Sequence, residues 1–116
     1  MFATLIEGDV VFTGGALNDD LFIDTCKVGD KITFAGGGDD DRFDLRGCDI
    51  EGKVTADGNA GDDDVEIDSC AFGGKLSVND TGGGNDELRL RDSEFGGKLS
   101  GVFGAGEDEF DVDNCF

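Results

Sequence analysis

Proline, histidine, tryptophan and tyrosine are all missing from these 116 residues, and lysine and arginine together number only nine. Without histidine the chain lacks the one side chain that titrates unaided near neutral pH, which removes the most usual general base. The nine bases face 28 acids, a formal charge of −19. That balance argues against a nucleic-acid partner, whose phosphates call for clustered Lys and Arg. No apolar run approaches the ~18 residues of a membrane span. The opening stretch has neither a basic head nor a long apolar segment, so no signal peptide is expected, and a secreted form would have lost its leader. Four cysteines are present without any Cys-x-x-Cys spacing, which sets aside a zinc knuckle.

What remains is repetition. Segments beginning at Gly8, Asp30, Gly52, Gly74 and Gly97 align, and each carries an apolar residue early in its first strand: Val10, Ile32, Val54, Leu76 and Leu99. A Gly-rich turn and an acidic pair follow. Next come two apolar positions separated by one: Leu21/Ile23, Phe43/Leu45, Val65/Ile67, Leu88/Leu90 and Phe110/Val112. Then comes a small residue, Cys26, Cys48, Cys70, Ser93 or Cys115, and two residues later Val28, Ile50, Phe72 or Phe95. Alternation of apolar and polar residues is a strand signature, and no stretch shows a sustained 3.6-residue period. Three short strands joined by bends make a coil of about 22 residues that cannot bury its own apolar face and must stack on its neighbours. The expected fold is all-β: a single domain over residues 1–116, a parallel β-helix of about five coils. The general handedness of parallel crossovers favours the right-handed form. An antiparallel barrel or sandwich is the competing reading, and it leaves the repeat unexplained.

The outward positions agree with that register. Arg46 is expected between Asp24 and Asp68, Arg91 between Asp68 and Asp113, and Arg89 between Glu66 and Asp111, so opposite charges alternate along the stack. Lys31, Lys53, Lys75 and Lys98 form a second row beside Thr33, Thr55, Ser77 and Ser100. The plain reading of that row is a solvated face.

The acidic pairs at the bends are Asn18-Asp19, Asp40-Asp41, Asp62-Asp63, Asn85-Asp86 and Glu107-Asp108. Good turn formers account for one Asp per bend. They do not account for two, stacked five times. Like charges ~5 Å apart oppose one another by roughly 0.8 kcal/mol in water and ~3 at an effective dielectric of 20. A neutralising cation is therefore expected, and carboxylate, amide and carbonyl oxygens suit calcium. The segments Gly58-Asn59-Ala60-Gly61-Asp62-Asp63-Asp64-Val65 and Thr81-Gly82-Gly83-Gly84-Asn85-Asp86-Glu87-Leu88 resemble the calcium-binding nonapeptide repeats of RTX proteins. The overall pattern is also similar to Gly-Asp-rich β-helical repeats of bacterial surface proteins. The resemblance implies calcium chelation between coils by Asp63, Asp86 and Asp108, and less closely by Asp41 and Asp19. The motif departs at Leu17 and Asp39, where its last Gly is replaced, and the period is longer than that of an RTX roll.

The cysteine row reads as a ladder of small residues interchangeable with Ser, in which only neighbouring coils could be bridged. Calcium carboxylates and a basic residue also occur in polysaccharide lyases, but no long loop builds walls around a substrate here. Rows of Thr occur in ice-binding solenoids, but here they alternate with Lys. The expectation is a non-enzymatic, calcium-stabilised structural solenoid, extracellular or at a cell surface, that stacks head to tail on copies of itself. In that stack, residues 3–6 would lie on Asn114-Cys115-Phe116 of the next molecule. The alternative function is an adhesin or glycan-binding module.

Overall fold

A computed structural model of the chain describes residues 4–116, leaving aside the side chains of Asp80 and Thr81. Among the described residues it is all strand and turn. The first coil holds β1 (Thr4–Ile6), β2 (Val10–Thr13) and β3 (Asp20–Asp24). The second holds β4 (Cys26–Val28), β5 (Ile32–Gly37) and β6 (Arg42–Arg46), and the third β7 (Asp49–Ile50), β8 (Val54–Asn59) and β9 (Asp64–Asp68). In the fourth are β10 (Ala71–Phe72), β11 (Leu76–Gly83) and β12 (Glu87–Arg91), and in the fifth β13 (Glu94–Phe95), β14 (Leu99–Ala105) and β15 (Glu109–Asp113). Each coil gives one strand to each of three parallel sheets, ordered β1-β4-β7-β10-β13, β2-β5-β8-β11-β14 and β3-β6-β9-β12-β15. This is the expected β-solenoid.

Register follows the apolar columns. Val10 pairs with Ile32, Ile32 with Val54, Val54 with Leu76 and Leu76 with Leu99. On the β3 sheet the column runs Ile23, Leu45, Ile67, Leu90, Val112. Ile32, Val54, Leu76, Leu45, Ile67 and Leu90 are completely buried. At ~1.5–3 kcal/mol for each buried aliphatic side chain, these columns are the main source of stability. The core also trades volumes between columns. Phe12, Phe34 and Phe43 stack with ring centroids 5.4 and 5.0 Å apart. Below Phe34 the column narrows to Ala56, and Phe72 and Phe95 stack at 5.1 Å in the β1 sheet.

Two corner rows depend on left-handed backbone. Thr25, Gly47, Ser69, Asp92 and Asn114 occupy the same place in successive coils, each with φ between 47° and 59°. An L side chain there costs roughly 1–2 kcal/mol, yet Thr25 and Ser69 accept it. At the acidic bend Gly61, Gly84 and Gly106 have φ of 125–136°. A Cβ on Gly84 would lie 1.9 Å from the carbonyl oxygen of Gly61, so no side chain fits. The equivalent Asp39 also has positive φ, at 65°.

One irregularity matters later. The register of β11 on β14 shifts between Asp80 and Gly83, which makes the fourth coil one residue longer than the others. Beyond β15 the backbone N–H of Phe116 donates to the carbonyl of Ser93 (3.0 Å), and Phe95 N–H donates to the carbonyl of Phe116 (2.9 Å). Residues 114–116 therefore form a further step on the β1 sheet.

Candidate functional site

The acidic bend is built from two rows that run side by side and reach in opposite directions. In the inner row, the backbone N–H of Asp19 donates to Asp41 Oδ1 (2.8 Å), Asp41 to Asp63 (2.8 Å), Asp63 to Asp86 (3.0 Å) and Asp86 to Asp108 (3.1 Å). Each carboxylate thus satisfies an amide one coil towards the N-terminus. In the outer row the sense reverses. Asp40 N–H donates to Asn18 Oδ1 (3.1 Å), Asp62 to Asp40 (2.9 Å), Asn85 to Asp62 (2.8 Å) and Glu107 to Asn85 (2.9 Å). A sharp bend leaves amides that no strand can pair, and orphaned amides are costly. Paired acidic and amide side chains close them, which is why the residues come in twos.

Burial divides the candidate ligands. Asp41, Asp63 and Asp86 are 2–3 % exposed. Asp19 is half-buried and Asp108 exposed, while Asn18, Asp40, Asp62, Asn85 and Glu107 are all exposed. The second oxygens of Asp41 and Asp63 are buried without a hydrogen-bond partner. They lie where a neighbouring glycine lacks a side chain: a Cβ on Gly36 or Gly58 would come within 2.1 Å of them. In the first coil the same oxygen of Asp19 accepts the N–H of Gly15 (2.7 Å). Burial, with the neighbouring carboxylates adding to it, raises the pKa of Asp41 and takes that of Asp63 up to about 6. Asp64 is raised as well, by burial first and then by Glu87. Among the described residues no three His, Cys, Asp or Glu side chains converge on a point where a metal ion would sit. The carboxylates that face solvent, and so are open to an ion, are those of the outer row together with Asp108 at the end of the inner one.

On the β3 sheet the charge columns have the expected register, with Arg46 between Asp24 and Asp68. The bonds run differently. Arg46 reaches along its own strand to Asp44 (3.2 Å) and diagonally to Glu66 (4.0 Å). Arg42 holds the same two groups at 3.4 and 3.3 Å. Arg89 meets Glu66 at 3.9 Å and also pairs with Glu87. Asp44 and Glu66 sit in the central column, within reach of arginines on both sides, and lie buried beneath them. Arg46 also covers the exposed ring of Phe22, 5.5 Å from its centroid.

The cysteine row is explained by the left-handed corner. The thiols of Cys26, Cys48, Cys70 and Cys115 each donate to the carbonyl two residues back, at 3.1–3.3 Å. Ser93 makes the same bond at 2.7 Å. All four thiols are free. The left-handed row and the role of Gly36 and Gly58 escape sequence reading: Thr and Ser disguise the first, and in so glycine-rich a chain nothing distinguishes the second.

No protein-family model, curated protein or solved structure matches the chain. No helix among the described residues is long and apolar enough to cross a membrane.

Proposed function

We propose that the chain is a structural β-solenoid that assembles head to tail into filaments in calcium-containing surroundings outside the cell, with no reaction of its own to perform. The observation that supports this most directly is the fit between its two end coils. At the β15 end, Phe110 and Val112 of the apolar columns are 49 % and 46 % exposed. Stacking β2 and β3 of a second copy there would cover them with Phe12, Leu21 and Ile23. It would also continue both bend rows, with Asp108 N–H donating to the next copy's Asp19 and the next copy's Asn18 N–H to Glu107.

The joint differs from the sequence expectation. For β2 to land on β14 and β3 on β15, the next copy's β1 must occupy the step that residues 114–116 already fill. Laying residues 4–6 on top of residues 114–116 would instead hold the other two sheets a full step apart. One of the two segments gives way when copies join.

A second feature of this joint favours calcium. Continuing the β3 sheet would set Glu109 against Asp20 and Asp113 against Asp24. Within the molecule the second of these columns alternates in charge, from Asp24 through Arg46, Asp68 and Arg91 to Asp113. The first alternates only around Arg42 and then runs Asp64, Glu87, Glu109, so the joint would lengthen an acidic run that is already there. Two acid–acid steps are a barrier that a divalent cation removes, and calcium is abundant at millimolar levels outside cells. The test is sedimentation and electron microscopy at micromolar protein, with calcium and with chelator. Filaments of single-solenoid width in calcium alone are expected. Glu109→Arg, which would face Glu87 in its own chain and Asp20 in the next, should assemble without calcium. A stable monomer under all these conditions would overturn the proposal.

A further inference from the structure

The outer face of the β2 sheet has oppositely charged edges. On one side Lys31, Lys53, Lys75 and Lys98 immediately precede the strands, and all four are exposed. Lys31 pairs with Asp9 at 3.4 Å. Among the described residues Lys53, Lys75 and Lys98 make no ion pair, although the chain carries 28 acids. Across the strands, on the far side, runs the exposed outer acidic row with Asp40, Asp62 and Glu107. Between the two edges the outward columns hold mostly small side chains, such as Thr33, Ala35 and Thr55, together with the exposed Val11 and Val102 and, near the centre, Asp57.

We infer that this face binds the same face of a second copy, with the two solenoid axes parallel. A two-fold axis running along the solenoid direction turns the lysine edge of one copy over the acidic edge of the other, twice in one contact. A two-fold axis across the solenoid would set lysine against lysine. The match needs no adjustment of spacing, because both rows advance by the same coil rise, ~4.8 Å. Another polyanion would meet the lysines only if its own charges happened to recur at that interval. The contact is isologous and therefore closes as a dimer, leaving the end coils free for axial growth. Its size suits a reversible interaction: roughly 20 Å of strand by five coil steps is about 500 Å² on each copy, near the lower limit for a specific interface.

Salt dependence distinguishes this contact from simple hydrophobic association. Each copy carries a formal charge of −19. At 0.01 M salt the screening length of ~30 Å lets whole-molecule repulsion dominate, whereas at 0.1 M a length of ~10 Å leaves mainly the facing rows in play. At 1 M the rows themselves are screened. Association should therefore peak at intermediate salt.

The experiment is sedimentation velocity across that salt range, in chelator so that calcium neither occupies the outer row nor drives end-to-end joining. The wild-type chain should dimerise best near 0.1 M. Lys53→Gln/Lys75→Gln/Lys98→Gln should weaken dimerisation at least about tenfold. Asp40→Asn/Asp62→Asn/Glu107→Gln keeps the oxygen acceptors of the bend and removes its outer charge, and should weaken dimerisation equally. Circular dichroism confirms that both variants fold. Filament formation by the lysine variant in calcium separates this contact from the axial one. A wild-type chain that stays monomeric at every salt concentration would overturn the inference. So would dimerisation that survives the lysine changes, or that is lost with the lysine variant and kept with the acidic one.

Discussion

In the inner row the two oxygens of one carboxyl group have different surroundings. Oδ1 of Asp63 accepts a backbone amide, while Oδ2 is buried against Gly58 with no donor. The amide favours the charged form, but burial and the flanking carboxylates outweigh it, so the group binds its proton more tightly folded than unfolded. With the folded pKa near 6 and the unfolded one near 3.8, the native state holds the extra proton between those values. Stability is therefore highest below that window and falls as pH rises through it, by at most about 3 kcal/mol from this group. Asp41 acts in the same sense. We expect a higher Tm at pH 4.5 than at pH 7.5 in thermal melts, with Asp63→Asn flattening the difference. A Tm that rises with pH over this range would show that the carboxylate is not held in its acid form. At the same scale, Gly84→Ala should cost more than about 3 kcal/mol in urea denaturation, since it meets both a forbidden φ and a carbonyl oxygen. Gly15, with open space where a Cβ would point, should tolerate alanine.

Between neighbouring strands, the inward and outward residues separate cleanly. Ile67 is fully buried between Leu45 and Leu90, whereas Thr55 is half-exposed on the outer face of β8. Ile67→Asp should abolish cooperative folding, because it buries an unpaired charge. Thr55→Asp should change the stability of the isolated chain by less than about 1 kcal/mol. Equal losses in circular dichroism melts would mean the strand faces are misassigned. Replacing Cys48 and Cys70 together by Ser should cost little, given that Ser93 already makes the same bond to a backbone carbonyl. Period-2 alternation repeated every coil made these faces, the strand register and the small-residue row legible from the chain alone. The acidic pairs were legible as a feature, but their hydrogen bonding was not. Nothing in a string of residues says that one Asp reaches back a coil and the Asp before it reaches forward. The diagonal arginine bonds were hidden for a related reason: column order fixes which residues face each other, whereas a long guanidinium side chain chooses among several carboxylates within its reach.

For the molecule as a whole, every sheet neighbour of a coil belongs to an adjacent coil. Removing residues 42–63, one coil with Asp64 taking the place of Arg42 in the pairing, should leave a folded, shorter solenoid with a lower Tm and a single transition. Loss of β-structure in the far-ultraviolet spectrum would show that the coils are not interchangeable. The extra residue between Asp80 and Gly83 extends this independence to the bends. Its strand resumes pairing with the coils on both sides, at Ala60 and at Ala105. A lineage that gained or lost single codons at a bend would change only a surface loop, and one that duplicated a whole coil would change only the length. Recombination between tandem repeats could then tune the molecule like a ruler, one graduation at a time, without redesigning any mark.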